Sequence, residues 1–92
     1  MRLDELRDFL VSKRYEFRVC QVQRARVSYV NGEWQGDRPI AAQDVDGSLN
    51  SCALEWDYLH TAGADGWDLA AIAQGIGDDT NARVLYLRRE RD

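Results

Sequence analysis

Proline occurs once in this chain, at Pro39, histidine once, at His60, and cysteine twice, at Cys20 and Cys52. The two thiols are far apart and form no C-x-x-C pair, so neither a disulfide scaffold nor a zinc-ligand spacing is spelled out. They are expected to be reduced and buried as small apolar groups. A bridge between them stays open, because a helix packed on a strand allows the needed Cα approach of about 7 Å without demanding it. No apolar run approaches the roughly 20 residues of a membrane helix. Charges throughout residues 1–10 exclude the apolar centre of a signal peptide. A cytoplasmic protein with no membrane partner is the expectation. Bases are scarce in the middle: residues 37–79 hold nine acids against Arg38 alone, whereas residues 13–36 and 80–92 are mildly basic. With a pI near 4.9, the balance speaks against nucleic acid even if Arg18, Arg24, Arg26, Arg83 and Arg88 gather on neighbouring strands.

What remains is an ordinary globular composition, 45% apolar and 30% charged, in 92 residues: one small domain with a modest core. Leu3, Leu6 and Leu10 fall on one stripe and predict a short N-terminal helix within residues 1–14. From Tyr15 the period becomes two, with Tyr15, Phe17 and Val19 on one face, and a long strand over 15–30 with a bulge or bend in its polar middle is expected. Asn31-Gly32 is a hairpin signal, since both residues tolerate positive φ, and the return strand would carry Trp34. Residues 37–47 read as a loop. Ser48, Asn50 and Ser51 are possible caps for a helix over 50–62, whose face is Leu49, Cys52, Trp56 and Leu59. Gly63 is expected to end that helix in the left-handed region, and Ala64-Asp65-Gly66 to turn the chain into a strand that begins at Trp67. A turn at 75–81 and a last strand near 82–89 complete the pattern. The predicted fold is α+β: an antiparallel sheet of three main strands plus a short hairpin strand, with one main helix on one face.

The candidate chemical groups are thin. His60 lies near Asp57 and Glu55, but no nucleophile sits at a useful spacing from it. Asp44, Asp46 and Glu55 mimic the ends of a calcium loop, yet the sixth position, which requires glycine, is Leu49. Gly75 and Gly77 adjoin Asp78 and Asp79, whose charge opposes a phosphate cradle. The expectation is therefore no enzyme, no metal and no cofactor, with Gly63, Gly66, Trp67 and Trp56 in structural roles.

Tyr15-Glu16-Phe17-Arg18-Val19, a helix ending in Leu59-His60-Thr61-Ala62-Gly63, the run Gly63-Ala64-Asp65-Gly66-Trp67-Asp68-Leu69, and the closing Val84-Leu85-Tyr86-Leu87-Arg88-Arg89-Glu90 resemble small bacterial proteins of the domain-of-unknown-function family 4177. The resemblance spans about residues 15–90; the long hairpin and the N-terminal helix depart from its shortest members. It implies a small α+β fold and carries no catalytic residues.

Apolar residues exceed what one helix on one sheet face can cover. The surplus predicts a protein–protein contact, either with a second copy or with another subunit, using Trp34, Leu54, Tyr58, Leu85 and Leu87. Within the chain, the N-terminal helix is the competing cover. A small-ligand-binding regulatory domain is the alternative function.

Overall fold

The structure, a computed structural model, describes residues 14–74 and 82–91. The expected N-terminal helix and the 75–81 turn lie outside the described residues. Five strands form one antiparallel sheet in the order β3-β2-β1-β5-β4. They are β1 (Arg14–Gln23), β2 (Arg26–Val30), β3 (Glu33–Trp34), β4 (Asp68–Gln74) and β5 (Arg83–Arg91), with helices α1 (Val45–Asn50) and α2 (Glu55–Ala64) between β3 and β4. The α+β class stands, with five strands and two short α-helices where three main strands, a hairpin strand and one main helix were expected.

The predicted single strand over 15–30 is two strands. Arg24 and Ala25 both take positive φ, 51° and 62°, and reverse the chain between Gln23 and Arg26. Nothing in Arg-Ala announces a turn that glycine or asparagine would make with less strain. Pairing across the whole sheet overrides the local preference. The expected irregularity is also present, as a register shift at Gln21/Val22 that gives Ser28 no partner. Ser28, fully buried, donates instead to the Gln21 carbonyl and to Gln23 Oε1. The Asn31-Gly32 turn forms with φ of 51° and 81°, and Trp34 returns beside Tyr29.

The helix expected over 50–62 is interrupted. Asp44 caps α1 by accepting from the Gly47 amide, so the chain turns helical within the segment read as a loop. After a turn at Ser51 and Cys52, the chain is held by the β1–β2 turn, with Leu54 extended. Val27 N–H donates to the Ala53 carbonyl, Glu55 N–H to the Ala25 carbonyl, and the Arg26 guanidinium to the Asn50 and Cys52 carbonyls. This break changes the helical phase, so Trp56, predicted on the same face as Cys52, is 75% exposed. Gly63 does not end α2, which continues to Ala64; the left-handed residue is Gly66, φ 91°. A Cβ on Gly63 would meet nothing, so its expected structural role is not required.

The core lies between α2 and one sheet face, made of Cys20, Val22, Val27, Ala62, Trp67, Leu85 and Leu87. Both cysteines are free and buried. Cross-strand register places Glu16, Arg18, Cys20 and Val22 of β1 opposite Arg89, Leu87, Leu85 and Arg83 of β5 on this covered face. The apolar-looking set Tyr15, Phe17 and Val19 faces the other way. Two arginines can point inward because each finds partners there. Arg18 lies 4.3 Å and Arg89 4.6 Å from the centroid of the Trp67 ring. Arg18 also donates to Tyr58 Oη, and Arg89 to Glu16 and to the Asp65 carbonyl. The buried tryptophan thus sits between two guanidiniums, each attracted to the negative face of its ring.

Candidate functional site

Among the described residues, the second sheet face is covered at one end only. There α1 turns Val45 and Leu49 toward Gln23, Tyr29 and Trp34. Trp34 is half-buried, set edge-on against Tyr29 at 5.5 Å, and its indole N–H donates to the Arg38 carbonyl. Beyond this end the face continues through Tyr15, Phe17 and Val19 of β1 and Val84 and Tyr86 of β5. Phe17 is 60% exposed, and Tyr15 and Tyr86 are exposed beside it. Tyr15 is tilted against Phe17, and Arg88 lies 5.0 Å from the Tyr15 ring centroid. Where Val19, Gln21, Val84, Tyr86 and Ala82 converge, the face dips into an open depression of about 450 Å³.

The sheet edge is bare as well. All seven residues of β4, Asp-Leu-Ala-Ala-Ile-Ala-Gln, are exposed. One side of β4 hydrogen-bonds β5; on the other, no strand follows in the sheet order among the described residues. A bulge at Ala70 resets the alternation. Leu69 and Ile72 lie opposite Leu87 and Leu85 on the covered face, and Ala71 and Ala73 lie opposite Tyr86 and Val84 on the other. Strict alternation would put Leu69 with Ala71 and set Ile72 against both; the extra residue reverses that. Leu69 remains 48% and Ile72 53% exposed. The cause is the position of α2, which follows β5 from Arg83, paired with Glu55, to Arg89, bonded at Asp65. It leans toward β1 through Tyr58, and β4 is left beside it rather than beneath it.

Of the residues predicted for a contact, Leu85 and Leu87 are corrected: they are 0% and 1% exposed, in the centre of the core. Their neighbours Val84 and Tyr86 face outward instead. Tyr58 is half-buried against the core and accepts from Arg18. Leu54 stays exposed at the start of α2, bridged by its backbone to Arg26. The structure does not bring these residues together into one surface. Tyr15, Phe17 and Ile72 were missed as surface residues, although the double-sided apolar pattern of β4 and β5 was the available signal.

The groups that suggested chemistry have structural partners. Asp44 caps α1 and pairs with Arg38; Asp46 pairs with Arg24 and Glu55 with Arg83. The His60 ring stacks on Trp56. Burial pushes the Cys20 and Cys52 thiols up from the ordinary value, against the opposing pull of a Tyr58 hydrogen bond and Arg18 at Cys20, and of Arg26 at Cys52. Neither is a ready thiolate nucleophile. Among the described residues no group of three or more His, Cys, Asp or Glu is arranged to hold a metal ion, and no helix is long and apolar enough to cross a membrane. Comparison with family models, curated proteins and solved structures finds no match to this chain.

Proposed function

We propose that this domain is a non-catalytic interaction module, an accessory or self-assembling subunit, whose uncovered sheet face receives another protein. The observation that carries this reading is the bare apolar face of β1 and β5, with Phe17 at its centre 60% exposed between Tyr15 and Val19. An antiparallel sheet that keeps one face in water normally alternates polar residues onto it. Here that face carries Tyr15, Phe17, Val19, Val84 and Tyr86, with Glu90, Arg88 and Gln21 opposite Tyr15, Phe17 and Val84 as its polar residues, and exposed aromatic clusters of this kind mark contact sites. Support against an enzyme comes from the buried, hard-to-ionise thiols and from a lone histidine whose ring contact is a tryptophan. Membership in family 4177 is proposed on the resemblance over about residues 15–90, sharpest in the Gly63–Leu69 run, and is consistent with this reading.

The test uses the full chain as bait in an extract of its source, alongside a Phe17→Asp variant with matched melting temperature. A partner held by the wild type and lost by the variant supports the proposal; equal retention places the contact elsewhere. The depression lined by Val19, Val84 and Tyr86 together with Gln21, Gln23 and Arg83 favours a second reading, a small ligand bound for regulation. For that reading, a thermal-shift screen is decisive, because a ligand at 100 times its Kd adds about 2.7 kcal/mol.

A further inference from the structure

We infer that two copies of this chain join along β4, antiparallel and about a two-fold axis through Ile72, into one continuous sheet. This goes beyond the reading above and uses a different surface, the β4 edge rather than the Phe17 face.

Exposed edges of isolated domains are normally blunted by lysine, proline, inward charge or a covering segment, because unpaired backbone N–H and C=O groups invite another strand. The stretch Leu69–Ala73 carries no charge and no proline, and every residue in it is exposed. Its one irregularity is the bulge at Ala70, and that bulge selects the register. Side chains alternate cleanly only from Ala71 to Gln74. In an antiparallel pair, residues directly opposite project from the same face, so a two-fold axis must pass through a residue and not between two. An axis through Ile72 sets Ile72 against its own copy and Ala71 against the partner's Ala73, apolar on apolar over these three positions, and leaves Gln74 beside the bulge at Ala70. An axis through Ala73 would set Ile72 against Gln74.

Charge favours the same arrangement. The only ionisable residue of β4 is Asp68, at its first position. Antiparallel docking carries the two copies of Asp68 to opposite ends of the junction, whereas parallel docking would align them, and like charges directly opposite are destabilising.

Symmetry then explains what lies on either side. The two-fold axis relating neighbouring antiparallel strands is perpendicular to the sheet, so both α2 helices lie on one side of the joined sheet. Around a right-handed helix whose Tyr58 turns to β1, Leu59, Trp56 and His60 fall on the opposite flank, the side of β4. The two β5 strands would be three strand spacings apart, roughly 14 Å, and because α2 leans toward β1 the two helices lie at least that far apart, beyond the 8–10 Å of directly packed helices. Large side chains must fill the difference. Trp56, 75% exposed and stacked on His60, is the large side chain that α2 offers on that flank in each copy. A seven-residue edge alone falls short of the roughly 800 Å² per partner of a stable interface. The two tryptophans, with about 150–250 Å² each available for burial, bring it closer.

The experiment is sedimentation equilibrium over nanomolar to micromolar concentration on wild type, Ile72→Glu, Ile72→Lys, an equimolar mixture of the two variants, and Trp56→Gln. Expected are a wild-type dimer, monomers for each charged variant alone, and a restored dimer in the mixture, because residue 72 then faces its opposite charge across the axis. Trp56→Gln, at an exposed position and with melting unchanged, should weaken the dimer about tenfold or more. A monomeric wild type overturns the inference. So does a dimer that survives both charged variants, or a mixture that stays monomeric, or a Trp56→Gln dimer of undiminished affinity. Any of these leaves the Phe17 face and its bait experiment untouched.

Discussion

Trp67 gives the sharpest test of how this fold is held together. Its ring is 7% exposed, lies in the core cluster with Ala62 and Leu87, and is flanked by Arg18 and Arg89. Removing it in Trp67→Ala returns most of about 150–250 Å² of apolar surface to the ledger of the unfolded chain. At about 25 cal/mol per Å² that is roughly 4–6 kcal/mol, and allowing for a compact denatured state lowers it to about 3–5 kcal/mol. The loss also strands two guanidiniums that now stack on the ring. A domain of this length has roughly 5–14 kcal/mol of total stability, so the variant should be marginal, with a melting temperature at least 12 °C lower at about 4–8 °C per kcal/mol. Trp67→Phe separates packing from polarity. Trp67 Nε1 is buried with no hydrogen-bond partner among the described residues, and phenylalanine removes that orphan donor while keeping most of the ring. A loss of about 1 kcal/mol is expected for it, well below the alanine value. Circular dichroism melts of the three proteins decide the matter. A Trp67→Ala melt within about 5 °C of wild type would refute the assignment of Trp67 to the core.

Two further predictions concern backbone and thiols. Gly66→Ala should cost about 1 kcal/mol or more because its φ is 91°, while Gly63→Ala, inside α2 with open space for a Cβ, should be neutral or stabilising by up to about 1 kcal/mol; thermal melts that reversed this order would return the helix end to Gly63. The folded thiols should resist a thiol reagent that labels both at once after denaturation. Since their folded pKa values are raised from the ordinary 9.0, the unfolded chain loses these protons first. Their contribution is therefore complete below about pH 9 and falls as the pH rises from there through the folded values. Urea midpoints at pH 8 and pH 10 should fall for wild type, and fall less for a Cys20→Ala, Cys52→Ala double variant.

Much of the fold was legible because local signals and tertiary demands agree. Asn31-Gly32 turns where two positive φ angles are needed, and the Ala64–Gly66 stretch reverses α2 into β4. The failures come where a distant partner outweighs a local pattern. Arg24-Ala25 turns because β2 must return along β1. The helix over 50–62 breaks because the hairpin captures the Ala53 carbonyl and the Glu55 amide. Leu85 and Leu87 were as plausible outward as inward, since Val84 and Tyr86 are equally apolar, and only the position of α2 chooses between them. In β1 the face that meets α2 is not the one carrying Tyr15, Phe17 and Val19, for a related reason. Period-two patterning assumes that arginine and glutamate seek water, and Arg18 and Glu16 instead meet Tyr58, Arg89 and the ring of Trp67.

That choice of face is what makes the proposed interaction surface. Had Tyr15, Phe17 and Val19 faced α2, they would fill the core, and the opposite face would show water Glu16, Arg18 and a cysteine, an unremarkable polar surface. Instead the chain spends its inward positions on Cys20, Val22 and two charged residues closed over Trp67, and keeps its aromatic positions outside. The arrangement is self-consistent inside the monomer, since the core is sealed by Arg18 and Arg89 stacking and by the Glu55–Arg83 and Glu16–Arg89 pairs. The exposed tyrosines and Phe17 therefore contribute little to folding. Substitutions there should separate association from stability, whereas those at Trp67 should change both together.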